Sequence, residues 1–510
     1  MISVDQPFAA LHETHSGVVF LLGDRVYKAK KPIRTEFLDF RTVEARRSVC
    51  AREVSLNRRL APDVYLGVIE LADPAGGAGE PLVVMRRMPE DSRLSALVAN
   101  GSPADALVDS IADVVARFHT SAARGPDIDR QGSVRAVRRR WCNNIRETRE
   151  LDQDIVDPDR LDAIERRVLR FLDGRQQLFA QRIADARIVD GHADLLADDI
   201  FCLDDGPRIL DCLEFDDDLR YVDGLDDVSC LAMDLEFQGR GDLADRFLDR
   251  YAALIDDPAP TALRHHYIAY RAFMRAKVDC VRYLQGRSES RTDALRHTEL
   301  AEAHLEQGAV RLALVGGLPA TGKSTVAERL AESVGAQLVS SDRVRRELFE
   351  KDRASDPNPG FRDGRYSAEA TARVYATMLD RARRALERGE SVVLDASWTD
   401  RRLRGRAAEL AGETLSELVS LQCTADSEIA ERRLRRRVSP RSGHAGTSAD
   451  SEATPAIARA MARAADAWPE ATDIDTAGPV EQSVRAATEQ WWRLNPTTSA
   501  HVPRSDDITK

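Results

Sequence analysis

Gly317-Leu318-Pro319-Ala320-Thr321-Gly322-Lys323-Ser324, with Thr325 behind it, follows the apolar run Leu312-Ala313-Leu314-Val315 and opens a stretch of helical periodicity. Strand, glycine-bounded loop and helix come in the order that a phosphate site requires. The loop leaves backbone N–H groups free to point inward, and the helix adds its positive N-terminal end. In the pattern G-x-x-x-x-G-K-[ST], Lys323 reaches the β- and γ-phosphates of a nucleotide, and the Ser324 hydroxyl ligates Mg²⁺. A plain glycine turn needs neither residue at these places. The expectation is ATP with Mg²⁺ bound through Gly317 to Thr325.

Around this loop, short apolar runs recur at intervals suited to crossover helices: Leu312 to Val315, Gln337 to Val339, Val392 to Leu394, Leu418 to Leu421 and a weaker one at Ile474. That spacing predicts a parallel sheet covered on both faces. Ligands of such sheets bind at the carboxyl ends of the strands. After the second run come Asp342 and Arg345, one helical turn apart. Asp342 can take the proton of a substrate hydroxyl and Arg345 can hold an anionic group, or Asp342 can simply cap the helix that begins there. The third run ends in Asp395, a carboxylate placed to hold Mg²⁺ through water. Further on, Arg433 and Arg437 lie four apart in a basic helix that precedes a Ser/Gly-rich stretch, Ser439 to Ser451. Three readings are open: a phosphate-clamping lid, a solvated helix and a nucleic-acid contact.

Over about 185 residues this part resembles the small P-loop kinases of the adenylate, gluconate and polynucleotide kinase group. The resemblance implies a five-stranded parallel sheet with a lid and transfer of the γ-phosphate of ATP to a hydroxyl. Asp342 and Arg345 echo the polynucleotide kinases only weakly, so the substrate stays open.

Toward the N-terminus, Val18 to Leu22, the turn Gly23-Asp24 and Arg25 to Lys30 read as a β-hairpin. Lys28 and Lys30 share one face of its second strand. A helix from about Thr42 to Leu60 contains Glu53, and two strands, Tyr65 to Leu71 and Leu82 to Met85, bracket a loose turn. Beyond Pro89 the chain turns helical, with apolar periodicity at Leu107, Ile111, Val114, Val115 and Phe118. Then His192 to Phe201 and Ile209 to Phe215 place three acids, Asp194, Asp199 and Asp211, around a short strand. Phosphoryl transfer calls for a carboxylate beside the nucleophilic hydroxyl and oxygen ligands for Mg²⁺. These segments supply both.

That constellation resembles the aminoglycoside phosphotransferase-like relatives of protein kinases, with their H-G-D-x-x-x-x-N loop. The resemblance implies a bilobal fold in which Asp194 is the catalytic base, Asp199 and Asp211 hold the metal, and Lys28, paired with Glu53, holds phosphate. Lys30 is the alternative for the lysine. The sequence departs from the pattern with Ala193 in place of Gly, Leu196 in place of a second His and Asp199 in place of Asn. The glycine-rich loop is reduced to Thr14-His15-Ser16-Gly17. An active kinase and a degenerate fold retained for binding or regulation are both compatible with this. The acids at 216, 217, 218, 223, 226 and 227 read as a solvated loop, or else as an attractor for a cationic substrate. His119, Trp141, Trp491 and Trp492 are expected to be packing residues.

Bulk properties set the frame. At 510 residues the chain suggests roughly three compact units. Its net charge of −11 argues against coating nucleic acid, and no apolar run reaches the roughly 20 residues of a membrane span. With no apolar leader read at the N-terminus, the expected location is cytoplasmic. Seven cysteines without C-x-x-C pairing indicate neither a zinc site nor a disulfide framework. Lysine is scarce: positions 28, 30, 31, 277, 323, 351 and 510 hold all of it among 74 basic residues, which singles out Lys323 and the cluster at 28 to 31.

The expectation is therefore a multidomain α+β and α/β chain that resembles predicted kinases fusing the two modules. Residues 1–305 form the kinase-like part, with lobes 1–90 and 91–305. Residues 309–493 form the P-loop part, and 494–510 a disordered tail. Its partner is a small-molecule hydroxyl substrate; a nucleotide-sensing regulator and a nucleic-acid end kinase are the alternatives. Protein partners are not indicated.

Overall fold

A computed structural model of the chain describes residues 8–13, 17–34, 39–74, 76–151, 155–349, 366–438 and 455–493. The chain divides into two compact units, Met1–Leu169 with Phe179–Gly308, and Arg170–Leu178 with Ala309–Lys510. Length alone suggested three; the two lobes of the first unit count as one.

The first unit begins with an antiparallel sheet of five strands: β1 Ala9–Glu13, β2 Gly17–Leu22, β3 Arg25–Lys30, β4 Tyr65–Leu71 and β5 Glu80–Arg86, in the order β1-β2-β3-β5-β4. Gly23, at φ +58°, turns β2 into β3, a conformation that costs glycine little. Strand β1 has no counterpart among the expected elements. Helix α1, Val43–Asn57, starts at Thr42, whose side chain accepts a hydrogen bond from the Ala45 backbone N–H. It buries Arg46, Cys50, Glu53, Val54 and Asn57, spacings of three and four that form a single stripe. Lys28 pairs with Val83 across β3 and β5, and Val83 packs in a core with Cys50, Val54, Met85, Phe201 and Leu210.

The second lobe of this unit is helical. Its elements near the site are α2 Asp105–Ser121, β6 Ile188–Asp190, β7 Ile200–Leu203, β8 Gly206–Ile209, β9 Tyr221–Asp223, α3 Gly224–Phe237, α4 Thr261–Leu284 and α5 Ser290–Gln307. β6 pairs with β9 and β7 with β8, both antiparallel. These two small ribbons frame the acidic loops 191–199 and 210–220. In α2 the buried stripe runs through Val108, Ile111, Val115, Phe118 and His119, while Leu107 and Val114 are half-buried at its margins.

The second unit holds β10 Arg311–Gly316, α6 Lys323–Val334, β11 Gln337–Ser340, α7 Ser341–Leu348, α8 Ala368–Glu387, β12 Val392–Asp395, α9 Arg401–Glu413, β13 Glu417–Thr424, α10 Ser427–Val438, β14 Thr472–Asp475 and α11 Val480–Trp492. All five strands are parallel, in the order β11-β12-β10-β13-β14. The central strand β10 is buried at every position, which is why it reads as an unbroken apolar run. Val315, Val326, Leu330, Val393, Leu421, Ile474 and Trp491 form the core between sheet and helices. Trp491 and Trp141 are buried as expected, whereas Trp492 is half open to solvent.

All seven cysteines are free thiols. Among the described residues no helix is long and apolar enough to cross a membrane. The tail from 494 lies outside the described residues.

Candidate functional site

In the second unit the phosphate loop links β10 to α6. Three of its residues take positive φ: Gly317 at +143°, Ala320 at +67° and Gly322 at +85°. A Cβ on Gly317 would stand 2.5 Å from Thr321 Oγ1 and 2.6 Å from the Cys423 carbonyl oxygen, so this position admits only glycine. Thr476, just past β14, braces the loop: its hydroxyl donates to the Thr321 carbonyl at 2.6 Å. Arg433 on α10 donates to the Thr476 carbonyl at 2.6 Å and lies 3.5 Å from that of Ala320. Arg433 is thereby committed to the loop's scaffold. Arg437 shares its helix, but its side chain and the stretch 439–451 lie outside the described residues.

Two groups of this site are left without partners. Among the described residues Lys323 makes no hydrogen bond or ion pair, although it is half-buried at the start of α6. Asp395, 4% exposed at the end of β12, accepts a hydrogen bond from Ser340 on Oδ2 at 3.2 Å, while its buried Oδ1 has no partner. A buried carboxylate oxygen left open carries a cost of about 1–3 kcal/mol unless something cationic meets it. Lys323, Ser324 and Asp395 thus fit a triphosphate with Mg²⁺, and the left-handed loop fits the phosphates.

Toward the acceptor side, Asp342 sits in the first turn of α7. Ser340 is the N-cap residue, and its side chain makes no capping hydrogen bond. Arg345 is buried, its guanidinium 4.7 Å from the centre of the Tyr366 ring. Tyr375 hydrogen-bonds Ser397 at 3.2 Å and accepts from the Trp398 N–H at 3.3 Å. Burial pushes its phenol pKa up, against the pull of Ser397.

The first unit builds its site from ion pairs. Glu53, wholly buried, lies 2.7 Å from Lys28 through one oxygen and 2.7 Å from Lys30 through the other. Lys28 also holds Asp211 at 2.6 Å, and Lys30 holds Glu214 at 2.6 Å. Burial works against charge on Lys28, but Asp211 and Glu53 outweigh it and raise its pKa. Lys28 in turn holds the Asp211 carboxyl below its usual range. Of the two lysines, Lys28 is the one bonded to Asp211 and the more exposed.

The loop carrying Asp194 is held from behind. Asp227 accepts the backbone N–H groups of His192 and Ala193, each at 2.7 Å, and its Oδ2 lies 2.9 Å from His119 Nε2. Although burial opposes it, the His119 hydrogen bond keeps Asp227 ionised, with its pKa lowered. Arg271 donates to the Ala193 carbonyl at 2.7 Å and pairs with Asp226 at 2.7 Å. Ala193 sits at φ +72°, the region that costs a Cβ-bearing residue about 1–2 kcal/mol, and these bonds hold it there. His192 is buried and neutral, its pKa lowered to about 4 by burial; its Nε2 donates to the Leu210 carbonyl, joining the two acidic loops.

Asp194 Oδ1 is buried without a partner. Burial first, then Asp211 and Asp194, push the Asp199 carboxyl well above its usual range. Among the described residues no group of three or more His, Cys, Asp or Glu side chains is gathered as a metal site, so a divalent cation here would rest on Asp199 and Asp211 alone. Asp211 takes φ +64° and is half exposed, open to such an ion. The reduced glycine loop at residues 14–16 lies outside the described residues.

Sequence reasoning missed the braces. Asp223, Asp226 and Asp227 are at most 2% exposed, which corrects the expectation of a solvated loop. Asp223 pairs with Arg182, Asp226 with Arg271 and Asp227 with His119. Likewise His119 is no mere packing residue, and Tyr251 hydrogen-bonds its Nδ1 at 2.7 Å. Their signal was an unusual one: acids at i and i+1 opening an apolar helix. Thr476 could have been found from its place after the fifth strand.

Comparison with known proteins follows the same division. A family model described as an AAA domain matches residues 312–466, within the second unit. Among solved structures, a gluconokinase from Sinorhizobium meliloti is similar over 36% of this chain and 91% of its own, with 19% identity and a TM-score of 0.27. A choline/ethanolamine kinase family protein from Mesorhizobium loti is similar over 60% of this chain and 90% of its own, with 15% identity and a TM-score of 0.38. The protein Rv2004c of Mycobacterium tuberculosis is 49% identical over 488 residues, 96% of each chain. At that identity over both units, the chain belongs to the same two-unit family as the mycobacterial protein Rv2004c.

Proposed function

We propose that this protein is an ATP- and Mg²⁺-dependent phosphotransferase that phosphorylates a hydroxyl group of a small molecule, with the second unit the principal catalyst. The observation that carries this reading is the pair of unsatisfied groups around the phosphate loop, the lone Lys323 ammonium and the open Asp395 Oδ1. Charges left unpaired in a folded protein mark sites where a ligand supplies the partner. Mg²⁺, held by Ser324 and by Asp395 through water, would offset the charge on the transferring phosphate. The loop N–H groups and Lys323 orient the phosphates. Asp342 accepts the acceptor hydroxyl's proton as the new O–P bond forms and the bond to the nucleotide's leaving oxygen breaks, and Arg345 steadies the acceptor's anionic part.

The first unit is read as a second phosphotransferase site, with Asp194 as base, Asp199 and Asp211 for the metal and Lys28 for phosphate. The open Asp194 Oδ1 and the Lys28–Glu53 pair favour an active site over a degenerate one.

The test is to incubate the protein, Lys323→Ala and Asp194→Ala with ATP, Mg²⁺ and a metabolite library and to follow phosphorylated products by mass. Lys323→Ala is expected to lose about 10²- to 10³-fold in turnover, as when one key donor is removed from a developing charge. Activity that survives Lys323→Ala and vanishes with Asp194→Ala would reverse the ranking of the units. ATP turnover with no phosphorylated product would indicate a nucleotide switch, and salt-sensitive oligonucleotide binding an end kinase.

A further inference from the structure

Lys28 and Lys30 stand two apart on β3, so both project from one face of the sheet. Glu53 offers them one oxygen each, and each lysine carries a second carboxylate, Asp211 for Lys28 and Glu214 for Lys30. Asp211 and Glu214 are three apart on one loop. The four ion pairs close a ring from β3 through α1 to the loop after β8. Exposure divides that ring: the side chains of Lys28 and Asp211 are 21% and 52% exposed, those of Lys30 and Glu214 6% and 13%. One half opens on the site and the other is sealed.

The open half has to change partners when a nucleotide binds. In the reading given above, Lys28 turns to phosphate and Asp211 to the metal, so their mutual bond opens. Glu53 remains, wholly buried, and a buried carboxylate with an uncompensated oxygen pulls hard on the nearest cation. Without Lys30 that cation is Lys28, drawn inward and away from the phosphate. With Lys30 in place the second oxygen is already matched, and Glu214 keeps Lys30 from following Lys28 toward the site.

We propose that Lys30 and Glu214 are positioning residues of the first unit's nucleotide site, a sealed ion pair that neutralises Glu53 Oε2 so that Lys28 can exchange Asp211 for phosphate. This rests on the reading of the first unit as a phosphotransferase site. The experiment uses the full chain with Lys323→Ala, which weakens nucleotide binding in the second unit, and measures the Kd of ATP with Mg²⁺ at the first unit by calorimetry. Lys28→Met is expected to weaken binding about 100-fold and Lys30→Met about tenfold, with the double variant no weaker than Lys28→Met alone, because Lys30 acts only through Lys28. Lys30→Arg, which retains the charge, should recover most of the loss.

A merely structural role for Lys30 would weaken binding further in the double variant. That result, or Lys30→Met binding like the parent, overturns the proposal. If Lys30→Met does not fold, Glu214→Gln carries the test: weaker binding that disappears as an effect in the Lys28→Met background supports it, and parent-like binding overturns it. If Lys28→Met and Asp211→Asn both bind like the parent, the first unit's nucleotide site itself is wrong, and the positioning role falls with it.

Discussion

The two units handle phosphate-directed charge in opposite ways. In the second, Lys323 and Asp395 Oδ1 wait without partners on a backbone loop whose shape is fixed by positive φ angles. In the first, Lys28 is already shared between Glu53 and Asp211, and its neighbour Lys30 between Glu53 and Glu214. A backbone cradle is preorganised, so a ligand gains the full interaction on arrival. A side-chain network must first give up bonds, so its ligand gains only the difference. On the proposed reading, the second unit would bind phosphate outright, and the first would exchange it for an internal pair.

The largest blow to the first unit alone should come from Asp227→Ala. It leaves the His192 and Ala193 N–H groups unanswered and His119 unpaired, a loss of about 3–5 kcal/mol for breaking a buried charged cluster. Calorimetric melting should show the first unit's transition fall while the second's is unmoved; a shift of both together would mean that the units do not melt separately.

Gly317→Ala turns the comparison around. Its Cβ meets Thr321 Oγ1 and the Cys423 carbonyl, so the loop must shift, and affinity for ATP with Mg²⁺ in the second unit should fall about 100-fold, the scale of a lost phosphate contact. Titration of Gly317→Ala should leave the first unit's binding intact, and unchanged affinity in the second would show that the loop does not hold phosphate.

Acid sharpens the contrast more gently. Burial lowers His265 and His266 to about 3, while an unfolded histidine titrates near 6.5. Below that pH the unfolded chain takes up protons that the native one refuses. Stability from these residues is therefore present above pH 6.5 and lost as pH falls toward 3. Asp199, with its raised pKa, works in the opposite sense, so the measurement belongs in an Asp199→Asn background. The first unit should lose on the order of a few kcal/mol between pH 7 and 5. The second has no histidine among its described residues and should change less over that range, as urea unfolding at each pH would reveal.

Least of all is expected from Ala193→Gly. Relief of the left-handed backbone and the greater freedom of unfolded glycine nearly cancel, leaving a change within about 0.5 kcal/mol. A clear gain in Asp194-dependent turnover would show that the Ala193 methyl hinders the loop.

What was legible in the sequence follows from how local each signal is. The phosphate loop, the five parallel strands and the β2–β3 hairpin were readable because each rests on a short motif or a period. Asp194, Asp199 and Asp211 were readable as a spacing. Strand β1 was not, being short and set on an edge by pairing with β2 rather than by its own pattern. The burial of Asp223, Asp226 and Asp227 was misread, because a run of acids looks solvated until arginines and a histidine from other helices meet it.

By itself, then, the sequence determined which residue types could carry phosphate chemistry and the architecture that presents them. Only the tertiary structure decided which charges are spent and which are free. Lys28 and Lys30 look alike on β3, and what separates them is a carboxylate more than 180 positions away in each case, Asp211 for one and Glu214 for the other. Pairing over that separation depends on how the strands and helices close on one another, and no periodicity in the chain records it.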